Sequence, residues 1–181
     1  MNIAILGFGT VGSGVYDAAQ RTNGAVNVVR ILDLRKFAGF EELLTSDIND
    51  IADDPSVELV VETMGGVEPA YGYVMRALGA KKHVVTANKQ LVCEKYAVLT
   101  AAAAENGVQL RFTASAGGGI PWLYNLRRAK RCDEILGISG IVNGTTNFIL
   151  DSMNRLGEDY ARALGNAQAL GYAEANPTAD V

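Results

Sequence analysis

Apolar and polar positions along the chain follow two alternating rhythms: short unbroken apolar runs, and longer stretches where apolar residues recur at every third or fourth place. Residues 2–6 form the first run. Val11, Val15, Ala18 and Ala19 then mark a helix over residues 10–20. A second strand, residues 28–32, ends in Asp33. Residues 34–56 are weakly patterned, with a small strand expected near Leu43-Leu44 and a helical turn near residues 48–51. Residues 57–62 predict a strand, and Pro69, a favoured first helical residue, opens a helix that stops near Gly79. Residues 83–86 predict another strand. Residues 92–105 predict an alanine-rich helix closed by Asn106-Gly107. Val108, Leu110 and Phe112 alternate with Gln109 and Arg111, the signature of a half-exposed edge strand.

Strand and helix alternate throughout, so residues 1–113 predict an α/β fold with a doubly wound parallel sheet. Beyond that the pattern changes. Gly117-Gly118-Gly119-Ile120-Pro121 reads as a rigid turn into a helix over 122–130. A strand at 135–142 and helices at 143–156 and 159–170 are expected to follow. The domain boundary is placed near Ala116, giving domains 1–116 and 117–181. A chain of 181 residues, 49% hydrophobic, accommodates one full core and part of another.

Charge and cysteine content narrow the classes. A net charge of −4 argues against a nucleic-acid surface. The one dense basic run, Arg127 to Arg131, ends a predicted helix, where basic residues suit the dipole. No apolar run approaches the roughly 18 residues of a membrane span, and the N-terminus lacks the basic region of a signal peptide. Cys93 and Cys132 stand apart without metal-ligand spacing, as expected of reduced thiols in a cytoplasmic protein. His83 is the only histidine and reads as a surface residue at a strand start.

Gly7-Phe8-Gly9-Thr10-Val11-Gly12 stands between the first strand and first helix, with Asp33 about 20 residues beyond Gly12. The first glycine permits the turn, the second lets backbone approach a pyrophosphate, and the third lets helix pack on strand. The helix N-terminus meets the negative charge. This is the arrangement of a Rossmann-type dinucleotide site. Asp33 suits the ribose hydroxyls of NAD, whereas Arg35 and Lys36 suit the 2′-phosphate of NADP, so both cofactors stay open. Two further strand ends carry polar clusters: Glu62-Thr63-Met64-Gly65-Gly66 and Thr86-Ala87-Asn88-Lys89. Ligands of open α/β sheets bind beyond such ends, which marks Thr63, Asn88 and Lys89.

Together with Ser115-Ala116-Gly117-Gly118-Gly119-Ile120-Pro121, Gly140-Ile141-Val142-Asn143-Gly144-Thr145-Thr146-Asn147 and the stretch from Ala167 to Asp180, these motifs resemble homoserine dehydrogenase over nearly the whole chain. The resemblance implies NAD(P)-dependent interconversion of L-homoserine and L-aspartate 4-semialdehyde, on the route to threonine, methionine and isoleucine. Lys89 matches the family's active-site lysine, Glu174 its homoserine-binding glutamate, and Asp180 a further substrate-site carboxylate. Gly144 matches a loop beside the nicotinamide. The main-chain carbonyls of Ala116 and Gly118 match a monovalent-cation (sodium) site, although Thr113 replaces the glutamate the family carries there. The resemblance also implies a homodimer through the C-terminal domain, and a helix beyond Val181 bearing a second catalytic aspartate and lysine. The chain is therefore expected to be truncated and to bind cofactor without turning over. Two alternatives stand beside this reading. One is a semialdehyde enzyme with Cys93 or Cys132 as nucleophile. The other is a non-catalytic NAD(P)-sensing module, which the glycine motif alone would allow.

Overall fold

The computed structural model describes residues 1–173. It forms two compact units, the first spanning Met1–Arg131 and the second starting at Cys132. The first unit thus includes the helix beyond the boundary expected near Ala116.

Six strands make the first unit's sheet: β1 (Asn2–Leu6), β2 (Asn27–Leu32), β3 (Leu44–Thr45), β4 (Leu59–Glu62), β5 (His83–Thr86) and β6 (Leu110–Arg111). They are all parallel and lie in the order β3-β2-β1-β4-β5-β6. Helices α1 (Thr10–Gln20), α2 (Asn49–Ala52), α3 (Ala70–Gly79) and α4 (Lys89–Glu105) link them, and α5 (Trp122–Ala129) closes the unit. The order of crossovers reverses between β1 and β4, which makes their carboxyl ends the topological switch point.

Central strand β1 is covered on both faces, as parallel strands require. Ile3 and Ile5 pack with Val28, Ile31, Phe8 and Ala19 on one side. Ala4 and Leu6 pack on the other with Val60, Val74, Leu78, Val84, Leu91 and Leu99. Two boundaries differ from the sequence reading. Helix α4 begins at Lys89 rather than at residue 92, because Asn88 caps it, its side chain accepting the Leu91 N–H at 3.0 Å. β4 begins at Leu59; Val57, though buried, precedes the ladder.

In the second unit, α6 (Gly144–Leu156) is capped by Asn143 and stopped by Gly157 in the left-handed conformation (φ 67°). Helix α7 (Tyr160–Ala169) is capped by Asp159, which accepts the Arg162 N–H at 2.9 Å. Ile149, Ala163 and Ala167 form its small core. The strand expected at 135–142 does not form. Its apolar residues suit a buried strand, but no strand among the described residues pairs with it. Leu136, Ile138, Ile141 and Val142 accordingly stand 90, 64, 80 and 91% exposed.

Candidate functional site

Register aligns the strand ends in one row. Leu6 lies opposite Leu32 on one side and Glu62 on the other, and Glu62 lies opposite Thr86. The ladder continues one step further, with Gly7, Thr63 and Ala87 donating their N–H groups to Leu32, Leu6 and Glu62 carbonyls at 2.8, 2.9 and 3.0 Å. Gly7, Asp33, Thr63 and Ala87 therefore leave the sheet side by side.

The glycines of the first loop have separable roles. Gly7 has φ +87°, and a Cβ there would lie 3.0 Å from Met64 Cγ. At Gly12 a Cβ would lie 2.0 Å from the Gly7 carbonyl oxygen, so helix α1 can pack on β1 only with glycine there. At Gly9 the nearest atom to such a Cβ is Arg35 Nη2 at 4.0 Å. Nothing inside the protein requires glycine at position 9, as expected where backbone must instead meet a ligand. Gly9 is also the N-cap of α1, which has no side-chain cap and no acidic residue in its first turn. Its N–H donors and dipole are thus left for an anion. Phe8 turns the other way, buried against Tyr16, Phe37 and Phe40, while Thr10 and Val11 are exposed at the helix start.

Side chains tie the neighbouring loops to this one. Asp33 Oδ2 accepts the Phe8 N–H at 2.8 Å and Arg35 Nη2 at 2.8 Å, and Oδ1 accepts the Arg35 N–H and Nε at 2.9 and 3.0 Å. The Arg35 side chain, with the Arg35 and Phe8 main-chain donors, holds the Asp33 carboxyl down to about 2 from its ordinary 3.8 against the opposing effect of burial. Both carboxylate oxygens are occupied, so a ribose would have to displace Arg35 to reach them. Arg35 itself is largely exposed and lies over the Phe37 ring. Thr63 donates its hydroxyl to the Gly7 carbonyl at 2.7 Å, clipping the end of β4 to the glycine loop.

Two residues of this network, Glu62 and Thr86, were not picked out as site residues from the sequence. Glu62 is fully buried. It accepts the Met64 N–H at 2.7 Å, the Thr86 hydroxyl, and Asn88 Nδ2 at 3.4 Å. Burial pushes its carboxyl above the usual range, and these hydrogen bonds oppose that rise. Thr86 in turn accepts the Asn88 N–H at 3.0 Å, and Asn88 Nδ2 also donates to the Gly66 carbonyl at 2.6 Å. A usable signal was available: alternation along β4 puts Glu62 on the same face as buried Val60.

Lys89 is the first residue of α4 and is exposed beside this network. Ala116 accepts the Trp122 indole N–H at 2.9 Å, and Gly117 and Gly118 both have positive φ in the turn that follows. His83 is exposed, its Nδ1 accepting the Gln109 N–H at 3.0 Å. Both cysteines are free and exposed. Gly144 opens α6 in the second unit. Glu174 and Asp180 lie outside the described residues. No helix among the described residues is long and apolar enough to cross a membrane.

The strand order, the glycine loop leading into α1 and the aligned strand ends define a Rossmann-type dinucleotide-binding domain. The chain belongs to the homoserine dehydrogenase family. Residues 7–113 match the homoserine dehydrogenase NAD binding domain, and residues 121–181 match homoserine dehydrogenase. It is 43% identical to the homoserine dehydrogenase of Bacillus subtilis (strain 168), over 100% of this chain and 45% of that protein. A solved homoserine dehydrogenase from Thiobacillus denitrificans is 40% identical with a TM-score of 0.88, covering 100% of this chain and 45% of that one. A hyperthermophilic archaeal homoserine dehydrogenase in complex with NADPH is 26% identical with a TM-score of 0.78, covering 99% and 64%. The chain thus spans a little under half the length of the curated relatives it matches.

Proposed function

We propose that this chain is the cofactor-binding part of a homoserine dehydrogenase, which interconverts L-homoserine and L-aspartate 4-semialdehyde with NAD or NADP, in the synthesis of threonine, methionine and isoleucine. The observation that carries this reading is the aligned row of strand ends, with the glycine loop, Thr63 and Asn88-Lys89 side by side at the switch point. The residues present fit the cofactor. Gly9 leaves room for a pyrophosphate and α1 offers uncapped N–H groups to it, and Asp33 and Arg35, just beyond the end of β2, are assigned to the adenosine ribose. When bound, the nicotinamide exchanges hydride with the substrate carbon. The chain's own part in the chemistry falls to Lys89, whose ammonium stabilises the oxygen that loses or gains a proton. Glu174 and Asp180 are assigned to the substrate, the carboxylate of Glu174 suiting its ammonium group, and Gly144 to the nicotinamide side. A sodium ion on the Ala116 and Gly118 carbonyls fits less well, because the Ala116 oxygen already accepts the Trp122 indole N–H and Thr113 replaces a carboxylate.

The 181 residues are read as binding cofactor without turning over, and the longer protein as an active homodimer. Less than half of the relatives' length is present, and orienting two reactants is a large share of catalysis. Nicotinamide absorbance, followed in both directions with L-homoserine or the semialdehyde, tests both points. The longer protein should turn over and lose roughly a hundredfold or more in kcat on Lys89→Ala, while the 181-residue chain stays silent. A full-rate Lys89→Ala enzyme would remove Lys89 from the reaction. Rapid turnover by the 181-residue chain would overturn the second point.

A further inference from the structure

A buried carboxylate needs a reason. Glu62 shares its face of β4 with Val60, against an apolar cluster where a leucine would fill similar space without the cost of desolvating a charge. The glutamate instead collects donors from two separate strand ends: the Met64 N–H just after β4, and at β5 the Thr86 hydroxyl of its last residue and the Asn88 amide just beyond it. Asn88 is thereby fixed from every side. Its Oδ1 caps α4 through Leu91, and its Nδ2 spans to Gly66 and Glu62. The backbone N–H of Asn88 is held by Thr86. Freedom lost at Glu62 is therefore lost at the Thr63–Gly66 turn and at the first turn of α4 together, where Lys89 begins.

We propose that Glu62 is a positioning residue for the nicotinamide half of the cofactor, its buried carboxylate setting the separation between the turn after β4 and the start of α4. This rests on the cofactor reading above. In a doubly wound sheet, each half of a dinucleotide lies over one set of strands. β1, β2 and β3 serve the adenosine side, and β4 and β5 lie on the other side of the switch point. The hydrogen bonds of the Glu62 carboxylate go only to residues of the second set, Met64, Thr86 and Asn88. Its loss should therefore divide the two halves of the cofactor, which a general loss of stability would not do.

The test is calorimetric titration of the 181-residue chain with NADH or NADPH, and in parallel with ADP-ribose, which lacks the nicotinamide. Glu62→Gln keeps the shape but places an amide where Thr86 needs an acceptor. It should weaken the whole cofactor roughly tenfold, about the size of one hydrogen bond to a charged group, and leave ADP-ribose within about twofold. Thr86→Val, which removes only the hydroxyl, should show the same split at smaller amplitude, and it decides the matter if Glu62→Gln does not fold. Equal weakening of both ligands, or no weakening of either, overturns the positioning role while leaving the cofactor site in place. If the unsubstituted chain binds neither ligand, the cofactor reading fails and this inference falls with it.

Discussion

β1 and the segment 135–142 are both short apolar stretches, yet they end in opposite states. Ile3, Ala4, Ile5 and Leu6 are at most 3% exposed, whereas Leu136, Ile138, Ile141 and Val142 are at least 64% exposed. Hydrophobicity does not separate them. β1 has a parallel neighbour on each side and helices over both faces. The second segment has no ladder partner among the described residues. A strand is stabilised by its neighbours, so the same local pattern specifies a strand only where a partner is supplied. The first unit accordingly holds a completed sheet, while the second is two capped helices around a small core with an unpaired apolar stretch beside them in sequence.

Substitutions that attack the finished unit should have the largest effects. Gly12→Ala sets a methyl group against the Gly7 carbonyl and is expected to cost about 4 kcal/mol, near the top of the range for single changes. Urea unfolding followed by Trp122, the only tryptophan and a first-unit residue, reads this directly. The comparison itself is sharpened by making one change in both regions. Ile5→Ala should cost about 3 kcal/mol by leaving a cavity, and Ile141→Ala less than about 0.5 kcal/mol. A similar cost at both positions, the second followed by amide exchange of the second unit, would mean that segment 135–142 is packed in solution.

Acid has a smaller effect at two carboxyls of the first unit, Asp33 and Glu62. The folded Asp33 carboxyl lies at about 2, below its ordinary 3.8. Its contribution is therefore complete above about pH 4 and is lost as pH falls through about 2. Arg35 is 62% exposed and solvent screens the pair, so about 1 kcal/mol is expected. Glu62 works in the opposite sense. Its raised value makes it a cost at neutral pH that disappears on acidification. The difference in stability between the chain and Asp33→Asn isolates the first effect. It should be near 1 kcal/mol at pH 6 and shrink below pH 4; a pH-independent difference would deny the ion pair its role.

Most of the first unit was legible in the sequence because buried parallel strands and amphipathic helices leave different periods, and glycine marks the turns between them. Residues 2–6, 10–20, 70–79 and 83–86 form the expected elements over nearly the expected spans. The misses have two causes. The start of α4 is set by a local cap, Asn88 accepting from Leu91 three residues on, whereas the part played by Glu62 depends on which loops the sheet brings together: Thr86 and Asn88 lie 24 and 26 residues beyond it in the chain. The unformed strand is the same failure reversed, a local pattern without its distant partner. The glycine loop was read residue by residue because its three glycines act within a short span. Even so, only the structure separates Gly12, which the fold needs, from Gly9, which it does not.

That separation gives the most direct test of the claim that the first unit is a pre-built nicotinamide-dinucleotide cleft. A methyl group at Gly9 meets no atom of the protein closer than 4.0 Å, and the residue's φ of −87° suits any side chain. Gly9→Ala should therefore melt within about 2 °C of the unsubstituted chain. It should also bind NADH or NADPH at least about tenfold more weakly, because the methyl stands where the pyrophosphate must approach the backbone. Equal affinity of the two proteins for the cofactor, with both folded, would contradict the account.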